Sequence, residues 1–177
     1  AQESFRHPPY FTEHDLPAYL SAQNALIAGA HQAGLTIVRV FHVDGPPDAS
    51  NAFAIESGHV RPLEGIAPFD ADFTVHKRRH SALVGTGLDV WLTERGVNRI
   101  IVSGVRTEQC CETTARHASD LGWAVDYVTD ATLTWDMTQP DGSPLTAQDI
   151  KARTATVLAG RFATVATVDE ALARAAE

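Results

Sequence analysis

The stretch Ile100-Ile101-Val102-Ser103-Gly104 constrains this chain more than any other part of it. Its unbroken apolar start reads as a strand buried on both faces, and Gly104 stops it. After a short turn, the run that reaches Arg116 reads as the start of a helix carrying a cysteine, Cys110 or Cys111, in its first turn. A helix start carries unpaired N–H groups and a partial positive charge. A cysteine held there is biased toward the thiolate, the form that attacks electrophilic carbon. The same N–H groups are suited to holding a developing oxyanion.

The rest of the chain repeats the strand–helix alternation. Asp15 to Ala33 has helical spacing, with Leu16, Tyr19, Leu20, Ala25, Leu26 and Ile27 mostly on one side and Gly34 ending it. Leu35 to Phe41 is a predicted strand, closed by the breaker Gly45-Pro46-Pro47, and a long loop region runs from there to Asp70. Phe73 to Lys77 is a short strand, Leu88 to Arg95 a helix, and Arg99 to Ser103 the next strand. Trp123 to Val128, Thr146 to Leu158, Phe162 to Val168 and Asp169 to Ala175 continue as strand, helix, strand, helix, with a loop at Gln139 to Pro144. This alternation predicts an α/β fold whose central, mostly parallel sheet is covered on both faces. Sites in such sheets form at the carboxyl ends of strands. Lys77 and the turn before Cys110 both lie at such ends.

Composition narrows the function classes. A length of 177 residues suits a single domain spanning 1–177. The formal charge of −8 argues against a nucleic-acid partner, and Lys77-Arg78-Arg79 is too short a basic run to reverse that. No segment reaches the roughly 18 apolar residues that span a bilayer, so no membrane partner is expected. The two cysteines are adjacent, which disfavours a structural disulfide and points to a reducing, cytoplasmic setting. The chain opens at Ala1-Gln2-Glu3-Ser4-Phe5 without the apolar strand that usually begins such a domain, and the expectation is that a first strand is missing.

Bland readings stand beside each of these. A free cysteine is most often a buried small residue, and a basic run is most often a solvated face. Spacing alone does not choose between Cys110 and Cys111; neighbours on a helix point about 100° apart, so only one can face the turn.

Taken together, the segments resemble the isochorismatase-like cysteine hydrolases, a family that includes nicotinamidases and amidohydrolases of carbamoyl and ureido compounds. The resemblance rests on Gln2 and Phe5, Leu35-Thr36-Ile37-Val38, His76-Lys77 with Ser81-Ala82-Leu83, and Gly122 with Asp130-Ala131. Its most specific part is Ser103-Gly104-Val105, Thr107, Cys110 and Thr114-Ala115-Arg116. It implies a three-layer α/β/α sandwich of Rossmann-like type and an Asp–Lys–Cys catalytic set. By position the nucleophile is Cys110, the lysine is Lys77, and Cys111 is left to packing. The aspartate of the family pattern Asp-x-Gln-x-x-Phe falls immediately before Ala1, outside the chain. The resemblance further implies a cis peptide between Val105 and Arg106, with the backbone N–H groups of Arg106 and Cys110 as an oxyanion hole. Family members usually carry a small residue where Arg106 stands.

The implied activity is hydrolysis of a carbon–nitrogen bond in a small amide or ureide through a thioester, with no cofactor. Two alternatives remain: vinyl-ether hydrolysis of the isochorismate type, which in the family does without a cysteine, and a non-catalytic binding or scaffold protein. Phe5, Tyr10 and Trp135 are candidate pocket walls, and Arg106 and His80, with Arg78, are candidate substrate-binding groups. Because burying an unpaired guanidinium costs several kcal/mol, Arg106 implies either an anionic substrate group or an internal acid such as Glu108 or Glu112. His42-Val43-Asp44 and His59 do not reproduce the nicotinamidase metal spacing, so no metal is expected. The expected partner is a small molecule, and the expected assembly a homo-oligomer.

Overall fold

A computed structural model describes residues 1–175; residues 176 and 177, counted in the expected domain, lie outside the described part. Its described residues form seven strands and five α-helices: α1 (Leu16–Gln32), β1 (Val38–His42), β2 (Phe73–Lys77), α2 (Leu88–Glu94), β3 (Arg99–Val105), α3 (Glu112–Asp120), β4 (Ala124–Leu133), β5 (Met137–Thr138), β6 (Pro144–Leu145), α4 (Ala147–Leu158), β7 (Thr164–Ala166) and α5 (Val168–Ala175). β1 and β2 pair in parallel, from Val38 opposite Phe73 to His42 opposite Lys77. β3, β4 and β7 form a second parallel group in that order. β5 and β6 make a separate antiparallel hairpin.

The two faces of the sheet are covered by different helices. On one side, Leu88 and Leu92 of α2, Ala115 and Ala118 of α3 and Leu158 of α4 pack with Val75, Val102, Val125 and Tyr127. On the other, Leu26 of α1 and Ala171 of α5 pack with Val128, Ala131 and Ala166. The expected α/β/α layering is therefore present. Local chemistry sets the helix ends. Asp15 precedes an α1 that carries Pro17 in its first turn, where the missing N–H costs nothing. Thr146 and Asp149 form a reciprocal capping box at the start of α4.

Several expectations about elements are corrected. β1 starts at Val38 rather than Leu35, because Leu35 N–H is used by the C-terminus of α1 through Ala30 O, and Ile37 N–H by the Asp72 carboxylate. β4 does not stop at Val128; it runs to Leu133 through a register shift, with Val102 opposite Tyr127 but Gly104 opposite Thr132. The Gln139–Pro144 loop is the tip of the β5–β6 hairpin. Finally, Cys110 does not lie in the first turn of an α-helix. Residues Thr107–Cys111 form one π-helical turn, in which Arg106 O accepts from both Gln109 N–H and Cys111 N–H, and α3 begins only at Glu112.

Candidate active site

Lys77 is the last residue of β2 and is only 4% exposed. Its ammonium has three neighbours: Cys110 Sγ at 3.2 Å, His42 Nδ1 at 3.1 Å and Arg79 O at 2.8 Å. The first of these brings together the ends of β2 and β3, the two strand ends singled out above. Among the described residues no carboxylate lies within ion-pair distance of Lys77.

His42 is held neutral. Burial lowers its pKa to about 4, and the neighbouring Lys77 charge adds to that effect. Lys77 can only donate, so Nδ1 of His42 accepts and its ring proton sits on Nε2, facing the Asp44 carboxylate at 3.7 Å. The side chain of Gln2 grips the backbone of the same histidine: Nε2 donates to His42 O at 2.9 Å, and Oε1 accepts from His42 N–H at 2.6 Å. Glu3 and Ser4 N–H groups donate to Arg61 O and His59 O, fixing the segment around Gln2 from its other side.

The two cysteines have different surroundings. Cys110 is partly exposed, whereas Cys111 is buried and packs in the core with Ala115, Val102 and Leu88. Burial pushes the Cys111 thiol far up. Gly104, immediately before the turn, adopts φ +125°, which favours glycine. The backbone nitrogen of Ala1 is buried beside Gly104 and within electrostatic reach of Cys110, Cys111 and Lys77.

Polar groups of β4 hold the cysteine turn. Thr107, fully buried, donates its hydroxyl to Thr132 Oγ1 at 2.9 Å, and its carbonyl accepts from Tyr127 OH at 2.8 Å. On the far side of the turn, Ala82 N–H donates to Thr114 Oγ1, and Ser81 Oγ pairs with His117 Nδ1 at 2.8 Å. The loop that follows Lys77 is thereby tied to α3. The peptide between Val105 and Arg106 is cis.

Arg106 is 6% exposed and its charge is met from within. Nε lies 3.0 Å from Glu108 Oε1, and the other oxygen of Glu108 accepts from Thr134 Oγ1 at 2.7 Å. The guanidinium stacks over Tyr10, 4.7 Å from the ring centre, with Trp135 at 5.6 Å. Of the two sources considered for its counter-charge, the structure supplies the internal acid Glu108. Glu112, the other candidate, instead accepts from Arg116, Arg153 and Thr154 and links α3 to α4. Phe5 and Trp135 stack at 6.2 Å, so Phe5, Tyr10, Trp135 and Arg106 form one wall. His80 does not join it: exposed, it lies near His42 with ring centres 6.4 Å apart. Arg78 and Arg79 are likewise exposed.

Sequence reasoning missed His42 as the partner of Lys77 and Tyr127 and Thr132 as clamps on the turn. Each acts across a distance in sequence that no local motif spans. The only available signal was a histidine at the carboxyl end of β1, next to the strand that ends in Lys77.

Comparisons with known proteins show the family. Residues 1–170 match the isochorismatase domain family. The YrdC isochorismatase-family protein of Bacillus subtilis is 25% identical over 144 residues, 78% of this chain and 73% of its own length. Streptothricin hydrolase of Streptomyces noursei is 32% identical over 77% of this chain, a stretch that covers only 49% of that protein. Nicotinamidase 3 of Arabidopsis thaliana is 46% identical over a shorter stretch, 37% of this chain and 33% of its own. Among solved structures, a cysteine hydrolase from Pseudomonas syringae pv. phaseolicola superposes with a TM-score of 0.86 and 26% identity, covering 98% of this chain and 87% of that one. An isochorismatase from Pseudomonas putida gives 0.81 and 26%, covering 96% and 84%. A family match over nearly the whole chain, relatives that share its fold, and a cysteine–lysine pair at the strand ends lead to one conclusion: this chain belongs to the isochorismatase family of hydrolases.

Proposed function

We propose that this chain is a cysteine-dependent hydrolase that cleaves a carbon–nitrogen bond in a small, uncharged amide or ureide. The observation that carries the reading is the 3.2 Å approach of the Lys77 ammonium to Cys110 Sγ at the carboxyl ends of β2 and β3. Relatives named as a nicotinamidase, a streptothricin hydrolase and a ureidoacrylate amidohydrolase support the choice of bond.

In the proposed reaction, an aspartate immediately before Ala1 accepts the Cys110 proton, and the sulfur attacks the amide carbonyl. Lys77 keeps positive charge beside both groups. The N–H groups of Arg106 and Cys110 receive the oxyanion. As the C–N bond breaks, the aspartic acid returns its proton to the departing amine. Water then hydrolyses the thioester, releasing the carboxylic or carbamic acid and the free thiol. Phe5 and Trp135 flank the substrate, and Arg106, already balanced by Glu108, offers hydrogen bonds without demanding an anion.

The test is ammonia release from a panel of amides, carbamoyl compounds and ureides by protein carrying that aspartate directly before Ala1. Release that stops in Cys110→Ala and persists in Cys111→Ala supports the reading. Release that survives Cys110→Ala removes it.

A further inference from the structure

The side chains of Arg106 and Glu108 come from the same stretch of chain as Cys110, and each keeps hydrogen-bonding capacity unused. Arg106 Nη2 is buried with no hydrogen-bond partner among the described residues. Glu108 Oε2 accepts from Thr134 Oγ1 at 2.7 Å. Glu108 Oε1 is buried too, and its 3.0 Å contact with Arg106 Nε is an ion pair without the alignment of a hydrogen bond. A donor and an acceptor therefore stand side by side with bonds unmade. Buried polar groups are seldom left so, because the loss is costly.

These atoms lie near the reactive sulfur. Beyond burial, the Tyr10 phenol feels the charges of Arg106, Cys110 and Glu108, which gathers the three around one ring. The guanidinium meets Tyr10 through the ring face, and the same ring packs on Trp135 at 5.2 Å. Tyr10 is the movable part of this wall. It is partly exposed, sits on the non-helical segment between Arg6 and α1, and follows two prolines, which lack N–H groups. It makes no backbone hydrogen bond among the described residues. The segment is held further on, where Thr12 O accepts from Trp135 Nε1, so the Tyr10 ring turns aside without unseating Trp135. That movement uncovers the guanidinium and its carboxylate.

The chemistry of the pair selects its ligand. Arginine and glutamate balance each other, so Glu108 repels a carboxylate and Arg106 repels an ammonium. A donor beside an acceptor fits the edge of a primary amide or carbamoyl group, whose oxygen accepts from Nη2 and whose N–H donates to Oε1. The scissile carbonyl is not that group, because in the proposed reaction its oxygen goes to backbone N–H groups. We propose that Arg106 Nη2 and Glu108 Oε1 form a specificity subsite for a second, uncharged amide-type group, so that the substrate is a compact diamide or a carbamoyl compound with two carbonyls. Cleavage at the first carbonyl rests on the hydrolase reading above; binding at the subsite does not.

The test reads the two separately. Binding of succinamide, methyl succinamate and succinamate, with their malonic and glutaric homologues, is measured by titration calorimetry on the Cys110→Ala chain, apart from any turnover. Ammonia release from the same compounds is followed with protein carrying an aspartate directly before Ala1. The subsite predicts that a diamide binds about tenfold more tightly than its ester, which lacks the N–H, and than its acid, which carries a charge; this is the scale of one hydrogen bond to a charged group. Arg106→Lys keeps a cation for Glu108 but removes Nη2, and should bring the three compounds to within about threefold of one another, with thermal unfolding showing that the variant is folded. Selective binding together with ammonia release from the diamide supports both the subsite and the hydrolase reading. Selective binding without release keeps the subsite and counts against the hydrolase reading. Equal binding of the three compounds, binding of none, or a preference that survives Arg106→Lys overturns the subsite.

Discussion

The Lys77 ammonium and the Cys110 sulfur, 33 residues apart in sequence, stand 3.2 Å apart in space. Lys77 closes β2 and Cys110 sits in the π turn that follows β3, and that turn gives the sulfur its exposure while leaving Cys111 in the core. That pairing gives the first prediction. Lys77→Ala removes the positive charge facing the sulfur, so turnover and the rate of Cys110 alkylation should each fall on the order of 10²-fold, the scale of losing one preorganised electrostatic contact. Far-ultraviolet circular dichroism should remain unchanged. Retention of most activity would make Lys77 a packing residue.

His42 should impose a pH dependence. Its pKa is about 4 in the folded state and about 6.5 in an unfolded chain. Between these values the unfolded state binds the extra proton, so the stability tied to neutral His42 is present above about pH 6.5 and is lost as pH falls toward 4. Protonation also removes the acceptor for Lys77. Denaturant midpoints measured from pH 7.5 to 4.5 should fall in this window, and His42→Gln should flatten the decline. An unchanged slope in the variant would assign the dependence to other groups.

The Arg106–Glu108 pair predicts a split between stability and selectivity. Arg106→Ala strands a buried carboxylate and should cost about 3 kcal/mol in urea unfolding, while lowering rates for neutral and anionic substrates alike. Glu108→Gln instead frees the guanidinium, so the kcat/KM ratio of a carboxylate-bearing amide to its neutral analogue should rise at least fivefold. If Arg106→Ala raised KM only for the anionic substrate, Arg106 would be a carboxylate site after all.

Tyr127 should act through the turn. Tyr127→Phe leaves the buried Thr107 carbonyl without its donor, which should cost about 1–2 kcal/mol. Because Thr107 opens the turn that carries Cys110, kcat should fall more than KM changes. Lost stability with unchanged kinetics would confine the bond to packing.

Local chemistry explains which parts of this arrangement can be read from the chain. β2 is a compact β-rich run and its limits, Phe73 and Lys77, are plain in the sequence. Cys110 is marked by its position shortly after Gly104, although β3 runs one residue past that glycine to Val105 and the turn that holds the cysteine is π rather than α, because Cys111 N–H donates five residues back to Arg106 O. The last third of β4 is hidden: Thr129 and Asp130 break the apolar run, and only pairing of Thr132 and Leu133 with β3 keeps them in the sheet. His42 as the partner of Lys77 and Tyr127 as the clamp on Thr107 are not legible in the sequence, because those partners lie 35 and 20 residues away.

The identity of the nucleophile is tested most directly by timed alkylation with limiting iodoacetamide near neutral pH, with each cysteine followed by peptide mass spectrometry alongside residual activity. The account predicts rapid modification of Cys110, slow modification of Cys111, and loss of activity in step with Cys110 alone. Faster modification of Cys111, or activity that survives complete alkylation of Cys110, would contradict it.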